Sequence, residues 1–119
     1  MNDEERRDIG LELVRKLFAG VDTAGVKMPE TLTDYTMRHV FGDLWQQEGL
    51  SLQERSLVTC TLLVALNREA EQRLHFVGAR NLGIPRSAIE AMITHAAHYA
   101  GWPSAVGASR VLAEVWPEE

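Results

Sequence analysis

Cysteine is almost missing from this chain: one residue, Cys60, in 119. A lone cysteine excludes an intrachain disulfide, a CxxC redox pair and a multi-cysteine metal site. Positive charge is also short, with twelve Lys and Arg against seventeen Asp and Glu and a net charge of −5. No basic block occurs, so a nucleic-acid partner lacks its electrostatic footprint. Long apolar runs are absent as well. The charge-free stretch from Leu57 to Asn67 falls far short of the ~20 residues that span a bilayer. The start, Met1-Asn2-Asp3-Glu4-Glu5-Arg6-Arg7, is polar and acidic, unlike a signal sequence, and a cytoplasmic location with no membrane partner is expected. Only four prolines and nine glycines accompany 45% apolar residues, which argues against disorder. The length suits a single domain over residues 1–119, able to bury roughly two-thirds of its unfolded surface.

What is present has helical spacing nearly throughout. Asp3, Glu4 and Glu5 suit a helix N-terminus, Ile9, Leu13 and Leu17 recur every four residues, and Gly20 is a stop signal. Gly20 to Thr33 reads as the longest irregular segment, a length uncommon unless the loop covers a site or an interface. A second helix is predicted from about Asp34 to Gln47, with Met37, Val40, Phe41, Leu44 and Trp45 on its apolar face. Ser51-Leu52-Gln53-Glu54 forms a capping box and opens a third. That helix carries Leu57, Val58, Cys60, Leu62, Leu63, Val64 and Leu66, apolar nearly all round, so both its faces should be buried. Glu69 to Leu82 follows, with Ala70, Leu74, Val77 and Leu82 inward and Gly83 as terminator. Pro85 opens a helix that ends at Gly101, and Pro103 opens the last, with Ala105, Ala108, Leu112 and Val115 inward. The fold class is therefore all-α, six helices and no sheet. Five short helices leave part of the third uncovered, so a second subunit is expected to bury surface that includes Trp102 or Trp116. Alternatively, both tryptophans close the core of one chain.

The most suggestive local arrangement is Glu71-Gln72-Arg73-Leu74-His75. At i and i+4 the carboxylate and imidazole share a helical face, where the carboxylate can fix one tautomer and raise the imidazole's proton affinity. Arg68, three residues earlier, can hold an anion beside them. The same spacing also describes an ordinary solvated charge pair. Arg55 stands between the capping box and the apolar helix, where a two-pronged bond can grip a carboxylate or enolate oxygen. A surface ion pair with Glu54 explains it equally well. His95 and His98 make an HxxH pair without a second ExxH element, so an interface role fits better than a metal. Cys60 lies within the apolar helix as a small inert core residue. No GxSxG setting and no glycine-rich phosphate loop occurs.

Taken in order, these residues resemble the carboxymuconolactone decarboxylase family. The likeness is carried by Gly42-Asp43-Leu44-Trp45, Gly49-Leu50, Glu54-Arg55-Ser56-Leu57-Val58-Thr59, Leu62-Leu63 and Ala65-Leu66-Asn67-Arg68-Glu69-Ala70-Glu71. It continues through Leu74-His75, Ala79, Asn81, Gly83, Ile89-Glu90 and Tyr99-Ala100-Gly101-Trp102-Pro103. The resemblance implies the helical fold shared with the alkylhydroperoxidase AhpD, and homo-oligomers, often trimers or hexamers. The superfamily's peroxidase branch has a CxxC pair with a histidine four residues after the second cysteine. Those cysteine positions are Arg68 and Glu71 here, which disfavours an antioxidant thiol function. The decarboxylase branch has glutamate and histidine at the places of Glu71 and His75.

The implied activity is a lyase that needs no cofactor and no metal, removing carbon dioxide from a small unsaturated lactone acid through an enolate. On that reading His75 donates the proton, Glu71 orients it, and Arg55 with Arg68 grips anionic oxygens. Decarboxylases of the family tend to carry arginine soon after the Trp45 position and two residues after the histidine. Gln46, Gln47 and Val77 stand there instead, and Phe41 replaces a frequent tryptophan. A less charged substrate follows if those arginines hold carboxylates. A helical oligomer that binds a small molecule and catalyses nothing is the alternative from outside the enzymes.

Overall fold

The computed structural model describes residues 1–23 and 25–118. Six α-helices and no strand occur among the described residues, as the spacing predicts: α1 Asp3–Leu17, α2 Glu30–Tyr35, α3 Leu52–Ala65, α4 Glu69–Asn81, α5 Arg86–Ala100 and α6 Trp102–Val115. No helix among these residues is long and apolar enough to cross a membrane.

Local chemistry sets most boundaries. Asn2 caps α1, its side chain accepting from the Glu5 backbone at 2.8 Å. The Ser51–Glu54 capping box forms at both of its bonds, 3.1 and 2.8 Å. Helices α3 and α4 close alike, with a left-handed residue after the C-cap, Asn67 (φ 59°) and Gly83 (φ 86°). Around these turns the Arg68 amide donates to Leu63 and the Ile84 amide to Ala79, so carbonyls left over at each helix end are satisfied.

The second predicted helix does not run as one α-helix from Asp34 to Gln47. Helix α2 begins four residues earlier, after Pro29, then widens into a π-helical turn at Thr36–Phe41, and a 3₁₀ turn follows at Leu44–Gln46. The described residues between Leu17 and Glu30 are irregular, so that segment ends before Thr33. Close packing accompanies the π turn. A Cβ on Gly10 would overlap the Met37 carbonyl oxygen, and one on Gly42 would overlap the carbonyl of Arg6, so two glycines let α1 and this turn touch backbone to backbone. The predicted apolar face is only half realised: Phe41 and Trp45 are buried, Val40 and Leu44 exposed.

Two apolar cores share α4. On one side Phe76 and Ala79 join Cys60 and Val64 of α3 with Ile89, Ile93, Ala108 and Val111 of α5 and α6. On the other, Leu13 and Leu17 of α1 meet Phe41, Trp45 and Leu82, with Leu17 seated against Gly78. Buried Gln72 ties the α3–α4 turn by donating to the Leu63 carbonyl at 3.1 Å. Two expectations need correction. Helix α3 is buried on one face only: Val58, Leu62 and Leu66 are 46, 56 and 61% exposed. Ala70 of α4 faces outward rather than inward. Trp116 packs against the first core under Arg80, whereas Trp102 is exposed beside His98.

Candidate active site

His75 lies on α4 in the seam between the two cores. Its ring meets Phe18 edge-on, centroids 5.2 Å apart, and stacks near Trp45 at 6.5 Å. The backbone carbonyl of His75 accepts from the Cys60 thiol at 3.5 Å. Nδ1 of the ring is buried and has no hydrogen-bond partner among the described residues. Burial pushes this imidazole down to about 4, so it is neutral at neutral pH.

One edge of the ring opens on a cavity of about 400 Å³. Val14 of α1 and Phe18 at its C-cap form one wall, Leu74 and His75 of α4 another. Thr36, Met37 and Phe41 of the π turn form the third, so the irregular stretch of helix is also the one that shapes the hollow. Thr23, Val26 and Met28 of the 18–29 segment, with Thr33 of α2, complete its lining. The polar members of this lining are three threonines and His75.

The other expected site residues stand apart from this hollow. Glu71 is exposed one turn before His75, and among the described residues no hydrogen bond or ion pair joins the two. Arg68 is exposed at the N-cap of α4. Arg55 is half-buried; its Nη2 donates to the Gln47 carbonyl at 3.1 Å, while its Nε is buried without a partner among the described residues. Glu54 is occupied by the capping box, and its carboxyl is held below the usual range by the bonds to Ser51. One chain therefore brings His75 to the cavity without Glu71, Arg55 or Arg68 in its lining.

Cys60 is fully buried, and burial pushes its thiol up to about 12, which keeps it protonated and unreactive. His95 stacks on Tyr99, and His98 Nδ1–H donates to the Thr94 carbonyl, 2.9 Å away. No group of three potential metal ligands occurs among the described residues.

Comparison with known proteins shows the family. Residues 30–114 match the model of the carboxymuconolactone decarboxylase family. The chain is 34% identical over 125 residues to 4-carboxymuconolactone decarboxylase of Acinetobacter baylyi, covering 99% of this chain and 92% of that protein. The chain belongs to the carboxymuconolactone decarboxylase family. It is also 38% identical over 104 residues to nitrosuccinic acid decarboxylase of Metarhizium robertsii, covering 87% of this chain and 70% of that relative. Both relatives of this decarboxylase family are named for loss of a carboxyl group, from acids of different structure. The family match begins at Glu30, so α2, the π turn and α4 fall inside it while α1 and the 18–29 segment lie outside.

Of the cavity residues, sequence reasoning named only His75 as a site residue; Met37, Phe41 and Leu74 entered as apolar-face positions, and Val14, Phe18 and the threonines were not singled out. Apolar spacing marked Met37 and Leu74 as buried positions but not as walls of a hollow. The π turn has no propensity signature of its own, and the glycines that accommodate it, Gly10 and Gly42, are far apart in sequence.

Proposed function

We propose that this protein is a decarboxylase of small unsaturated acids, lactone acids first among them, working without a cofactor and with His75 as proton donor. The observation that carries this reading is the half-buried His75 imidazole in the wall of an apolar cavity of small-molecule size, its Nδ1 free of hydrogen-bond partners among the described residues. Family membership and two relatives named as decarboxylases support the reaction class.

The chemistry asks little of the protein. The bond to the carboxylate breaks, its electron pair moves into a conjugated carbonyl as a dienolate, and carbon dioxide leaves. An N–H bond of the imidazolium then breaks as the new C–H bond forms, and the reaction consumes one proton from solvent. Burial keeps His75 neutral before substrate arrives. A carboxylate entering the hollow raises its proton affinity, because an opposite charge nearby favours the charged form. The site is thus charged by the substrate it serves. Negative charge then migrates from carboxylate to enolate within reach of one cation, between largely apolar walls.

In this proposal Glu71 is a positioning residue, one turn from His75 on the same helix, and Arg55 and Arg68 assist anionic oxygens from outside the lining. The exposed stripe of Val58, Leu62 and Leu66 supports a homo-oligomer in which α3 packs against a second copy. Carbon dioxide release from carboxymuconolactone and related lactone acids tests the activity, with His75→Gln as control. The variant should fold and lose roughly 10²–10⁴-fold in rate. Equal rates in both proteins would remove His75 from the chemistry. Glu71→Gln should move the pH-rate profile more than the plateau rate.

A further inference from the structure

We propose that Lys27 determines specificity at this site: from the rim of the cavity its ammonium holds the carboxylate of a diacid substrate that stays, while the carboxylate that leaves lies against His75. This deepens the decarboxylase reading of the same site and rests on it.

Lys27 is exposed, while its two chain neighbours, Val26 and Met28, both line the hollow. A residue open to solvent between two that touch the cavity stands on its rim. Lysine carries its charge on a flexible four-carbon stem, so the ammonium can swing over the opening. Among the described residues no ion pair or side-chain hydrogen bond engages it. The other cations that adjoin lining residues in the chain have work of their own. Arg38, next to Met37, pairs with Asp34 at 2.8 Å and Asp3 at 3.0 Å. Arg73, next to Leu74, pairs with Glu114 at 2.6 Å. Arg15, next to Val14, stands in the last turn of α1, where the helix dipole favours positive charge. Lys27 has neither a partner nor a helix end to serve.

Desolvation sets the direction in which a diacid lies. Apart from His75 and the threonines the lining is hydrocarbon, and a carboxylate buried there without a cation is costly. One carboxylate therefore goes to the imidazole. The other stays at the opening, where water and Lys27 both reach it. Only the inner carboxylate then leaves its electron pair beside the His75 proton.

Equilibrium binding tests this independently of turnover. Isothermal titration with 2-furoate and furan-2,5-dicarboxylate compares one carboxylate with two on opposite sides of one ring. Wild type should bind the diacid about three- to fivefold more tightly, the scale of one exposed ion pair. Lys27→Gln should remove that difference and leave furoate affinity unchanged, Lys27→Arg should keep it, and Lys27→Glu should put the monoacid ahead. High salt should shrink the difference in wild type, because exposed charges are screened. Arg15→Gln, which removes the same charge from α1, should leave the difference in place. Overturning results are a wild type that binds both acids equally, a difference that survives Lys27→Gln, an equal loss of both acids in that variant, or a loss in Arg15→Gln as large as in Lys27→Gln. Carbon dioxide release from carboxymuconolactone is scored separately, and Lys27→Gln should raise KM with little change in kcat. Diacid binding that depends on Lys27, with no release from any acid, defeats the decarboxylase reading and keeps the role of Lys27. Release with the same KM in wild type and Lys27→Gln defeats that role and keeps the reading.

Discussion

At the scale of single residues, His75 sets the behaviour of the site. Its imidazole binds a proton near 6.5 when unfolded but only near 4 when folded, the cause being burial. Between those values the unfolded chain holds more protons, so stability rises with pH and is fully recovered above about 6.5. Acidification from 6.5 towards 4 should therefore cost up to about 3 kcal/mol. Urea unfolding across this range checks it, and His75→Gln should flatten the slope. The carboxyls whose affinities are lowered, Asp34 by Arg38 and Glu54 by Ser51, also lose stabilisation as pH falls through the carboxylate range, so the difference between wild type and His75→Gln isolates the histidine's share. A wild-type stability that is flat from pH 6.5 to 4 would show that the ring is not buried as described. Cys60 offers a contrast: fully enclosed and away from the cavity lining, it is held protonated, so Cys60→Ala should leave carbon dioxide release unchanged.

Among the elements, the π turn matters most, because it carries three cavity residues and crosses α1 at backbone contact. Gly10→Ala places a methyl group against the Met37 carbonyl, where backbone must move. Roughly 1–3 kcal/mol of stability should be lost, read as a lower melting temperature, and substrate binding should weaken with it. An unchanged melting temperature would mean that the two elements are not in such close contact. This is also where sequence reasoning stopped short. Caps, terminators and four-residue spacing revealed α3 through α6 almost residue by residue, since those signals act within a few positions of the chain. The break between α2 and the 3₁₀ turn depends on contact with α1, some thirty positions away, and no local pattern encodes it. The same holds for the site. His75 and the irregular segment were legible from residue type and length. The place of Glu71 was not, because i,i+4 spacing sets a shared face but not whether that face meets the cavity or solvent.

For the whole molecule, the outer face of α3 is the feature a single chain leaves unexplained. Three aliphatic side chains at i, i+4 and i+8 remain open to solvent on a helix whose inner face is packed. Light scattering should give a mass that is a multiple of 13.3 kDa, and Leu62→Asp should lower it. A monomeric wild type would refute assembly through this stripe and leave the cavity untouched. The account as a whole depends on an imidazole that burial keeps neutral and that a bound carboxylate protonates. NMR titration of the His75 ring, with and without saturating 2-furoate, measures that directly. The predicted result is a midpoint near 4 in the free protein, moved above the ordinary 6.5 when the acid is bound. A midpoint near 6.5 that does not move on binding would contradict it.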